Sequence, residues 1–161
     1  MKRFEHPFPP IIDNSSKVLL LGTFPSLDSF SNNFYYGHKK NQFWKILENI
    51  FNVKLESIED KKSFLTSHHI ALWDVIKSCT RKNSSDANLK DIELNDIDLL
   101  LKKYPNIKAI GFTGQRAYKL FKKEFCLEVE LVVLPSPSPA YAKMRIEEKI
   151  EIYKEFFDKI L

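Results

Sequence analysis

The chain has 161 residues, of which 29% are charged, and its formal net charge is +4. This length suffices for one domain with its own core, and no apolar run approaches the roughly 20 residues that a membrane-spanning helix requires. Two cysteines are too few for a disulfide framework or an iron–sulfur cluster, and the four histidines show no metal-ligand spacing. We therefore expect one domain over 1–161, cytoplasmic because its start lacks an apolar secretion signal, with no metal and no cofactor.

Apolar runs and helical periodicities alternate along the chain. They predict strands at about 17–22, 70–76, 107–112 and 128–134. Helices are predicted from Phe43, over 56–66, 95–103 and 114–124, and from Met144 to the end, whereas the polar stretch 78–93 is predicted to be a loop. Alternation of this kind is typical of a parallel sheet covered on both faces. We therefore predict an α/β fold with a central four-stranded parallel sheet flanked by helices on both faces.

Two loops contain most of the functional information. The first follows the strand that ends at Gly22 and runs to Trp44, and the second runs from Leu134 to Ala140. Because open parallel sheets bind ligands outside the carboxyl ends of their strands, the two loops should meet at one edge. Prolines stiffen both loops, and aromatic residues and the basic triplet 38–40 lie beside them. This combination indicates a site for nucleic acid.

Asn41 stands at the predicted start of a helix, where Asn is among the best N-caps. A cap is therefore the simplest role for its side chain. Its place at the mouth of the first loop, just before Phe43 and Trp44, also suits a carboxamide that positions water beside an aromatic face that stacks a base. Asp28 is the one carboxylate in the first loop and could close a turn or act as a base, and the turn is the simpler role.

The aromatic and hydroxyl side chains of the loops also admit two roles. Phe24 and Tyr36 can pack against the sheet, or they can form a wall on which a base stacks. Ser136 and Ser138 can close turns or donate to phosphates. There is no Gly-x-Ser-x-Gly elbow and no phosphate-binding Gly-x-x-x-x-Gly-Lys loop, and only four glycines are present, which argues against most nucleotide-binding fingerprints.

Taken together, these motifs resemble the uracil-DNA glycosylase superfamily, and most closely its hypoxanthine-DNA (deoxyinosine) glycosylase branch. The resemblance covers nearly the whole chain, and the segments that carry it are 8–11, 20–26, 35–38, 41–44, 72–75, 78–81 and 134–140. It implies a four-stranded parallel sheet and an enzyme that flips a damaged base out of DNA. Such an enzyme hydrolyses the N-glycosidic bond without metal or cofactor.

The resemblance also implies roles for single residues. Many branches activate water with an Asp or Asn two residues after the first-motif glycine, where this chain has Phe24. The hypoxanthine branch is similar in lacking that group and relies on the Asn of its Asn-x-Phe-Trp motif, here Asn41, while Phe43 matches the base-stacking position. Leu134 stands where some branches have a catalytic His. Thr113 replaces an Asn that is frequent in relatives, and Tyr141 likewise stands where the second motif often ends in Asn.

We therefore expect Asn41 to be catalytic. The residues expected to bind the base are Thr23, Phe24, Tyr36, Phe43 and Thr113. The residues expected to bind DNA are Ser26, His38, Lys39, Lys40, Ser136, Ser138, Tyr141, Lys143 and Met144. The expected partner is DNA that contains deaminated bases, bound by a monomer without any membrane attachment.

The preferred lesion is predicted to be hypoxanthine, with uracil or xanthine as alternatives. A non-catalytic nucleic-acid-binding module of the same fold is the second interpretation. The missing first-motif acid and the missing His favour that module, whereas Asn41 and the aromatic set argue against it. A third interpretation, a flavodoxin-like binder of a small ligand, requires a flavin or nucleotide site, and the scarcity of glycine in the loops argues against it.

Overall fold

The computed structural model describes residues 2–83 and 88–161, and its strands form two sheets. A four-stranded sheet, all parallel, has the order β3-β2-β6-β7, and a small antiparallel sheet has the order β1-β4-β5. In chain order the elements are β1 (Arg3–Glu5), β2 (Val18–Gly22), α1 (Leu27–Asn32), α2 (Phe43–Phe51), α3 (Ile58–Ser67), β3 (Ile70–Asp74), β4 (Ile76–Thr80), β5 (Lys90–Leu94), α4 (Ile97–Lys103), β6 (Ala109–Thr113), α5 (Gln115–Glu124), β7 (Glu130–Leu134) and α6 (Ile146–Ile160).

The predicted α/β fold with a central four-stranded parallel sheet is confirmed. All five residues of β2 are buried, as expected for a strand covered on both faces. Val18 and Leu20 point to a core shared with α2, α3 and α6. Leu19 and Leu21 point to a second core shared with α4, α5 and β4. Helices therefore cover both faces, and the loops at the carboxyl edge remain open to solvent.

The prediction of a loop over 78–93 was wrong at both ends, because β4 and β5 occupy them. Residues 84–87 of that predicted loop lie outside the described residues. Ser78 and Thr80 of β4 are buried, and side chains from other segments bond them: Arg3 Nη2 donates to Ser78 Oγ over 2.7 Å, and Thr80 Oγ1 donates to Asp91 Oδ2 over 3.2 Å. Pairing of this kind joins residues far apart in sequence, so the local pattern does not reveal it. The predicted strand 70–76 likewise divides, since Ile76 already belongs to β4.

The first loop also contains a helix that the sequence did not predict. Ser26 caps α1, and its Oγ accepts a hydrogen bond from the backbone N–H of Ser29 over 3.1 Å. A Ser at the N-cap satisfies one of the donors that a helix start leaves without a partner. The helix has only six residues, too few to leave a clear periodic pattern.

The N-terminal arm, residues 2–12, extends along the edge of the molecule beside β3. Ile11 forms a backbone bridge with Leu72 of β3, and the backbone N–H of His6 donates to Lys77 O over 2.8 Å. The arm thereby shields the edge of the central sheet and holds His6 near the carboxyl end of β3. In residues 2–83 and 88–161, no helix combines the length and apolar character needed to span a membrane.

Two buried tyrosine hydroxyls anchor loops to the body of the domain. Tyr35 Oη donates to Pro9 O over 2.9 Å, and Tyr153 Oη donates to Pro135 O over 2.7 Å. Burial raises the pKa of both hydroxyls above the ordinary 10.0, and the nearby Asp74 carboxylate adds to the shift at Tyr35. Both hydroxyls therefore ionise less readily in the folded protein than in the unfolded chain.

We expect the free energy of unfolding to fall above about pH 10, because both tyrosines can ionise only in the unfolded chain. Each should contribute a loss of about 1.4 kcal/mol per pH unit in that range. Urea unfolding followed from about pH 8 to 11 should decline more steeply for the wild type than for the double variant Tyr35→Phe/Tyr153→Phe. Equal pH slopes for the two proteins would contradict the assignment.

Candidate active site

A cavity of about 590 Å³ opens at the carboxyl edge of the central sheet, between the first and second loops. This volume lies in the range of pockets that hold small molecules. The predicted site residues that line it are Thr23, Phe24, Ser26, Tyr36, His38, Asn41, Thr113, Ser136, Ser138 and Tyr141. Those that do not line it are Lys39, Lys40, Phe43, Lys143 and Met144. The two loops therefore meet at one edge, as the sequence predicted.

The register of the parallel strands places four strand ends in one row. Gly22 pairs with Asp74, and Thr113 pairs with Leu134, while Leu21 pairs with Phe112 next to them. Three of the four terminal residues line the cavity, namely Gly22, Asp74 and Thr113. The base of the cavity is therefore built from regular strands, which are more rigid than the loops around them.

Three oxygen atoms converge above Gly22, and we call this cluster the polar floor. A Cβ at Gly22 would lie 2.5 Å from Asp74 Oδ1, 2.9 Å from Tyr36 Oη and 3.3 Å from Thr113 Oγ1. The Tyr36 and Thr113 hydroxyls are hydrogen-bonded to each other over 2.8 Å. Glycine is required here for close approach, because any side chain would displace these oxygens.

Asp74 is a cavity residue to which the sequence analysis gave no role. Its side chain is 6% exposed, and its Oδ2 lies 2.8 Å from Nε2 of His6, whose side chain is 5% exposed. A buried carboxylate is rare without a partner, so the His6 ring stabilises it. The sequence signal was present in part, since an apolar strand that ends in Asp is unusual. Nothing in the sequence pointed to His6, which is 68 positions away from Asp74.

Asn41 lies just before helix α2 and lines the cavity. Its Oδ1 accepts a hydrogen bond from the backbone N–H of Phe43 over 2.9 Å, which is the chemistry of a helix cap. A backbone N–H can only donate, so this bond identifies the amide oxygen and sets the orientation of the whole carboxamide. The N-cap position of α2 is Gln42, so Asn41 lies one residue before the predicted cap position. Its side chain nevertheless bonds the first residue of the helix and faces the cavity.

Tyr36, rather than Phe43, presents an aromatic surface to the cavity. Phe43 is fully buried, and the Tyr36 ring covers it with centroids 4.0 Å apart and planes within 15°. The prediction that a base stacks directly on Phe43 is therefore corrected, because another ring already occupies that face. Tyr36 has φ = 54°, in the left-handed region that bulky residues rarely adopt, and such conformations cluster at functional sites.

Phe24 also lines the cavity, and neighbouring side chains hold its ring in place. The Arg81 guanidinium lies 5.2 Å from the centre of the Phe24 ring, and its Nη1 donates to Pro25 O. The His6 ring contacts Phe24 edge-on, with centroids 5.8 Å apart. The residue at this position therefore has a fixed ring, although it cannot supply the carboxylate or amide of other branches.

A buried lysine ties the second loop to the start of α2. Lys149 of α6 is fully buried, and its Nζ donates to Gln42 Oε1 over 2.8 Å and to Ser138 O over 3.5 Å. Burial lowers the pKa of this amine. The backbone N–H of Gln42 also donates to Pro137 O over 2.9 Å. The sequence analysis predicted a helix here and gave Lys149 no role.

The rim of the cavity carries charge. His38 lines the cavity, and its Nε2 lies 3.3 Å from Asp28 Oδ2 in a partly exposed pair. Lys39 and Lys40 follow it in sequence and are exposed, as is Lys143 beyond the second loop. Positive side chains therefore stand on both sides of the entrance. No group of three or more His, Cys, Asp or Glu residues in the described ranges is arranged to hold a metal ion.

Comparisons with known proteins agree on a family. The family model described as "Uracil DNA glycosylase superfamily" matches residues 9–160. A Methanosarcina acetivorans protein named hypoxanthine DNA glycosylase is 32% identical over 152 residues, which are 91% of this chain and 96% of that protein. A protein of the same name from Methanosarcina barkeri is 37% identical over 112 residues, which are 68% of this chain and 71% of that protein. The solution NMR structure of a candidate uracil DNA glycosylase from Methanosarcina acetivorans has a TM-score of 0.76 and 30% identity, covering 94% of this chain and 97% of that one.

We expect Lys149→Met to loosen the contact between the second loop and α2 while leaving the fold intact, because Met replaces a buried charge with an apolar side chain of similar length. The backbone amide of Gln42 should exchange with solvent roughly tenfold faster. Native-state hydrogen exchange with thermal unfolding measures both effects. The matched control is Lys154→Met, at an exposed position of the same helix. Equal exchange rates of the Gln42 amide in the two variants would contradict a role of Lys149 in holding the second loop to the start of α2.

Proposed function

We propose that this chain, which belongs to the uracil DNA glycosylase superfamily, is a DNA N-glycosylase that removes a deaminated base from DNA. Hypoxanthine is the proposed preferred base, because two relatives at 32% and 37% identity carry the name hypoxanthine DNA glycosylase. Uracil and xanthine remain candidate substrates. The observation that carries the proposal is a cavity with a polar floor and aromatic walls at the carboxyl edge of the sheet.

The flipped base enters this cavity between Tyr36 and Phe24. Flipping costs a few kcal/mol, least at a mispaired deaminated base. Tyr36 stacks on Phe43 at 4.0 Å, so its ring is already in place before the base arrives. A preorganised aromatic surface avoids the ordering cost that a mobile side chain would add. Thr23 and the Thr113 hydroxyl lie where the edge of the base would reach them.

Asn41 holds the water that attacks the sugar. Its Oδ1 has two lone pairs, of which one accepts the Phe43 N–H, and the other can accept a hydrogen from water. As the N-glycosidic bond breaks, the base leaves with the bonding electrons, and the sugar becomes oxocarbenium-like. The water oxygen bonds to C1′, its released proton goes to solvent, and the departing base takes up a proton. Such a sugar needs a well-placed water more than a strong base, so a neutral amide suffices.

Residues around the entrance hold the DNA backbone and fill the gap in the base stack. The proposed phosphate contacts are Ser26, His38, Lys39, Lys40, Ser136, Ser138 and Lys143. Tyr141 is 37% exposed at the mouth of the cavity, and either it or Met144 can wedge into the vacated position. Phosphate contacts of this kind make binding weaken as salt rises. One chain supplies all of these groups, so we propose that the protein acts on DNA as a monomer.

A second candidate function is a nucleic-acid-binding module without catalysis. Phe24 replaces the first-motif acid or amide, and the Asn41 oxygen already takes part in a cap-like hydrogen bond. Both features are compatible with a site that binds a flipped base and leaves its glycosidic bond intact. The two candidates differ in one result, which is strand cleavage after alkali treatment of a duplex containing a lesion.

We expect Asn41→Ala to lose on the order of 10²- to 10³-fold in single-turnover base release, with DNA affinity changed by less than about threefold. Labelled duplexes with one deoxyinosine or one deoxyuridine, followed by alkali cleavage, measure the rate. Thermal unfolding of the variant separates this loss from the roughly 1 kcal/mol that a lost cap costs. Asp28→Asn changes a rim carboxylate that does not line the cavity and should be nearly silent.

Wild-type rates in Asn41→Ala would leave Asn41 as a helix cap alone. A collapse of activity in Asp28→Asn would make Asp28 the base. Uracil release without hypoxanthine release would keep the enzyme class and overturn the preferred lesion. Binding by the wild type with no strand break in either duplex would favour the non-catalytic module.

We expect Gly22→Ala to abolish base release because its methyl group would displace the polar floor. Gly111→Ala is the matched control, since the three atoms nearest to its Cβ would be carbons of Leu134, Leu20 and Phe156, at 2.9 to 3.0 Å. Overpacking should destabilise both variants by about 1–3 kcal/mol, measured by urea unfolding. Only Gly22→Ala should lose activity beyond its unfolded fraction, and equal losses in both variants would remove the special role of Gly22.

A further inference from the structure

The Asp74 carboxylate faces the cavity and has no part in the mechanism above. Its Oδ1 belongs to the polar floor, and Asp74 lines the cavity. Its Oδ2 is occupied by His6 Nε2 at 2.8 Å. An acceptor is therefore presented at the base of a pocket whose remaining floor consists of two hydroxyls, Tyr36 and Thr113, bonded to each other.

We propose that Asp74, oriented by His6, is the specificity-determining residue that accepts a hydrogen bond from the ring N–H of a deaminated base. The inference rests on the proposed function, because it names how that same cavity selects its base. Asp74 would contact the base directly, whereas His6 acts through Asp74 and is a positioning residue.

The chemistry of deamination explains why a carboxylate suits this task. Adenine and cytosine each have a bare ring nitrogen beside an exocyclic amine, so that nitrogen accepts a hydrogen bond. Deamination to hypoxanthine or uracil turns this unit into a carbonyl beside a ring N–H, which donates. An ionised carboxylate can only accept, so it bonds the ring N–H and repels the lone pair of the undamaged base. Flipped bases are read at this edge.

His6 fixes which oxygen faces the base. An ionised carboxylate has no hydrogen to give, so Nε2 of His6 must carry the hydrogen and donate it to Oδ2. The ring cannot turn freely, since its Nδ1 accepts a hydrogen bond from the backbone N–H of Phe8 over 3.2 Å, and its faces and edges contact Phe8, Phe24 and Tyr35 with centroids 5.7 to 5.8 Å away. This arrangement leaves Oδ1 for the cavity.

The same hydrogen bond predicts the orientation of an amide at position 74. In Asp74→Asn the amide oxygen should stay on His6, because Nε2–H needs an acceptor, and the NH₂ group should face the cavity. With hypoxanthine, this NH₂ group would face the ring N–H, and two donors would oppose each other. With unsubstituted purine, it would face a ring nitrogen that accepts a hydrogen bond. The preference between these two bases should therefore invert.

The test measures binding separately from bond cleavage. Duplexes carry either hypoxanthine or unsubstituted purine on a 2′-fluoroarabino sugar, whose fluorine disfavours the oxocarbenium ion and blocks release. The wild type should bind the hypoxanthine duplex on the order of 10- to 100-fold more tightly, the factor for one hydrogen bond to a charged group. Asp74→Asn should bind the purine duplex at least as tightly as it binds the hypoxanthine duplex. The control Asp98→Asn alters an exposed carboxylate on α4 and should keep the wild-type ratio.

Release of hypoxanthine from an ordinary deoxyinosine duplex is measured in parallel, so the two ideas can fail separately. No release by the wild type overturns the proposed function. Two outcomes overturn only the role of Asp74 while the wild type still releases hypoxanthine. In one, the wild type binds the two analogue duplexes with equal affinity; in the other, Asp74→Asn keeps the wild-type preference for hypoxanthine. If circular dichroism shows that Asp74→Asn is unfolded, Asp74→Ser replaces it and should bring the affinity ratio close to one, and a wild-type ratio there counts against the proposal.

Discussion

The parallel register of the central sheet is the constraint on which the site depends. Because β2, β3 and β6 run side by side in register, Gly22, Asp74 and Thr113 end at the same level and can share one space. A slip of one residue in any strand would turn its last side chain to the other face of the sheet. The hydrophobic core that fixes the register therefore also fixes the position of each polar atom at the base of the cavity.

Much of the fold could be predicted from the sequence, because its strands and helices leave local hydrophobic patterns. Apolar runs such as 18–21 and 131–134, each followed by a Pro- and Ser-containing loop, predicted the parallel strands and the edge at which the loops meet. The small sheet was missed because polar residues interrupt the apolar pattern of β4 and β5, and because β1 pairs with β4 from far away along the chain. Tyr36 was expected as a wall residue, but its position over a buried Phe43 was not, since that arrangement depends on a backbone conformation that sequence periodicity does not encode.

The contacts that complete the site could not be predicted for the same physical reason. His6 and Lys149 are ordinary polar residues in sequence, and each becomes important only when folding buries it beside a partner. The pattern of Asn41 was easier to interpret, because an Asn before a helix has a definite local chemistry. Its hydrogen bond to Phe43 holds the side chain still, so the cap interaction also orients the cavity-facing amide.

Because the site contains contacts of His6 and Lys149, it is completed late during synthesis on the ribosome. Residue 6 is made early, yet its partner Asp74 emerges only after β3, and the amine that ties the two loops together arrives with α6, after β7. The central strands can therefore pair before Lys149 joins the second loop to the start of α2. During synthesis a nascent chain would present an open cleft, and the cleft reaches its final form only after helix α6 has docked.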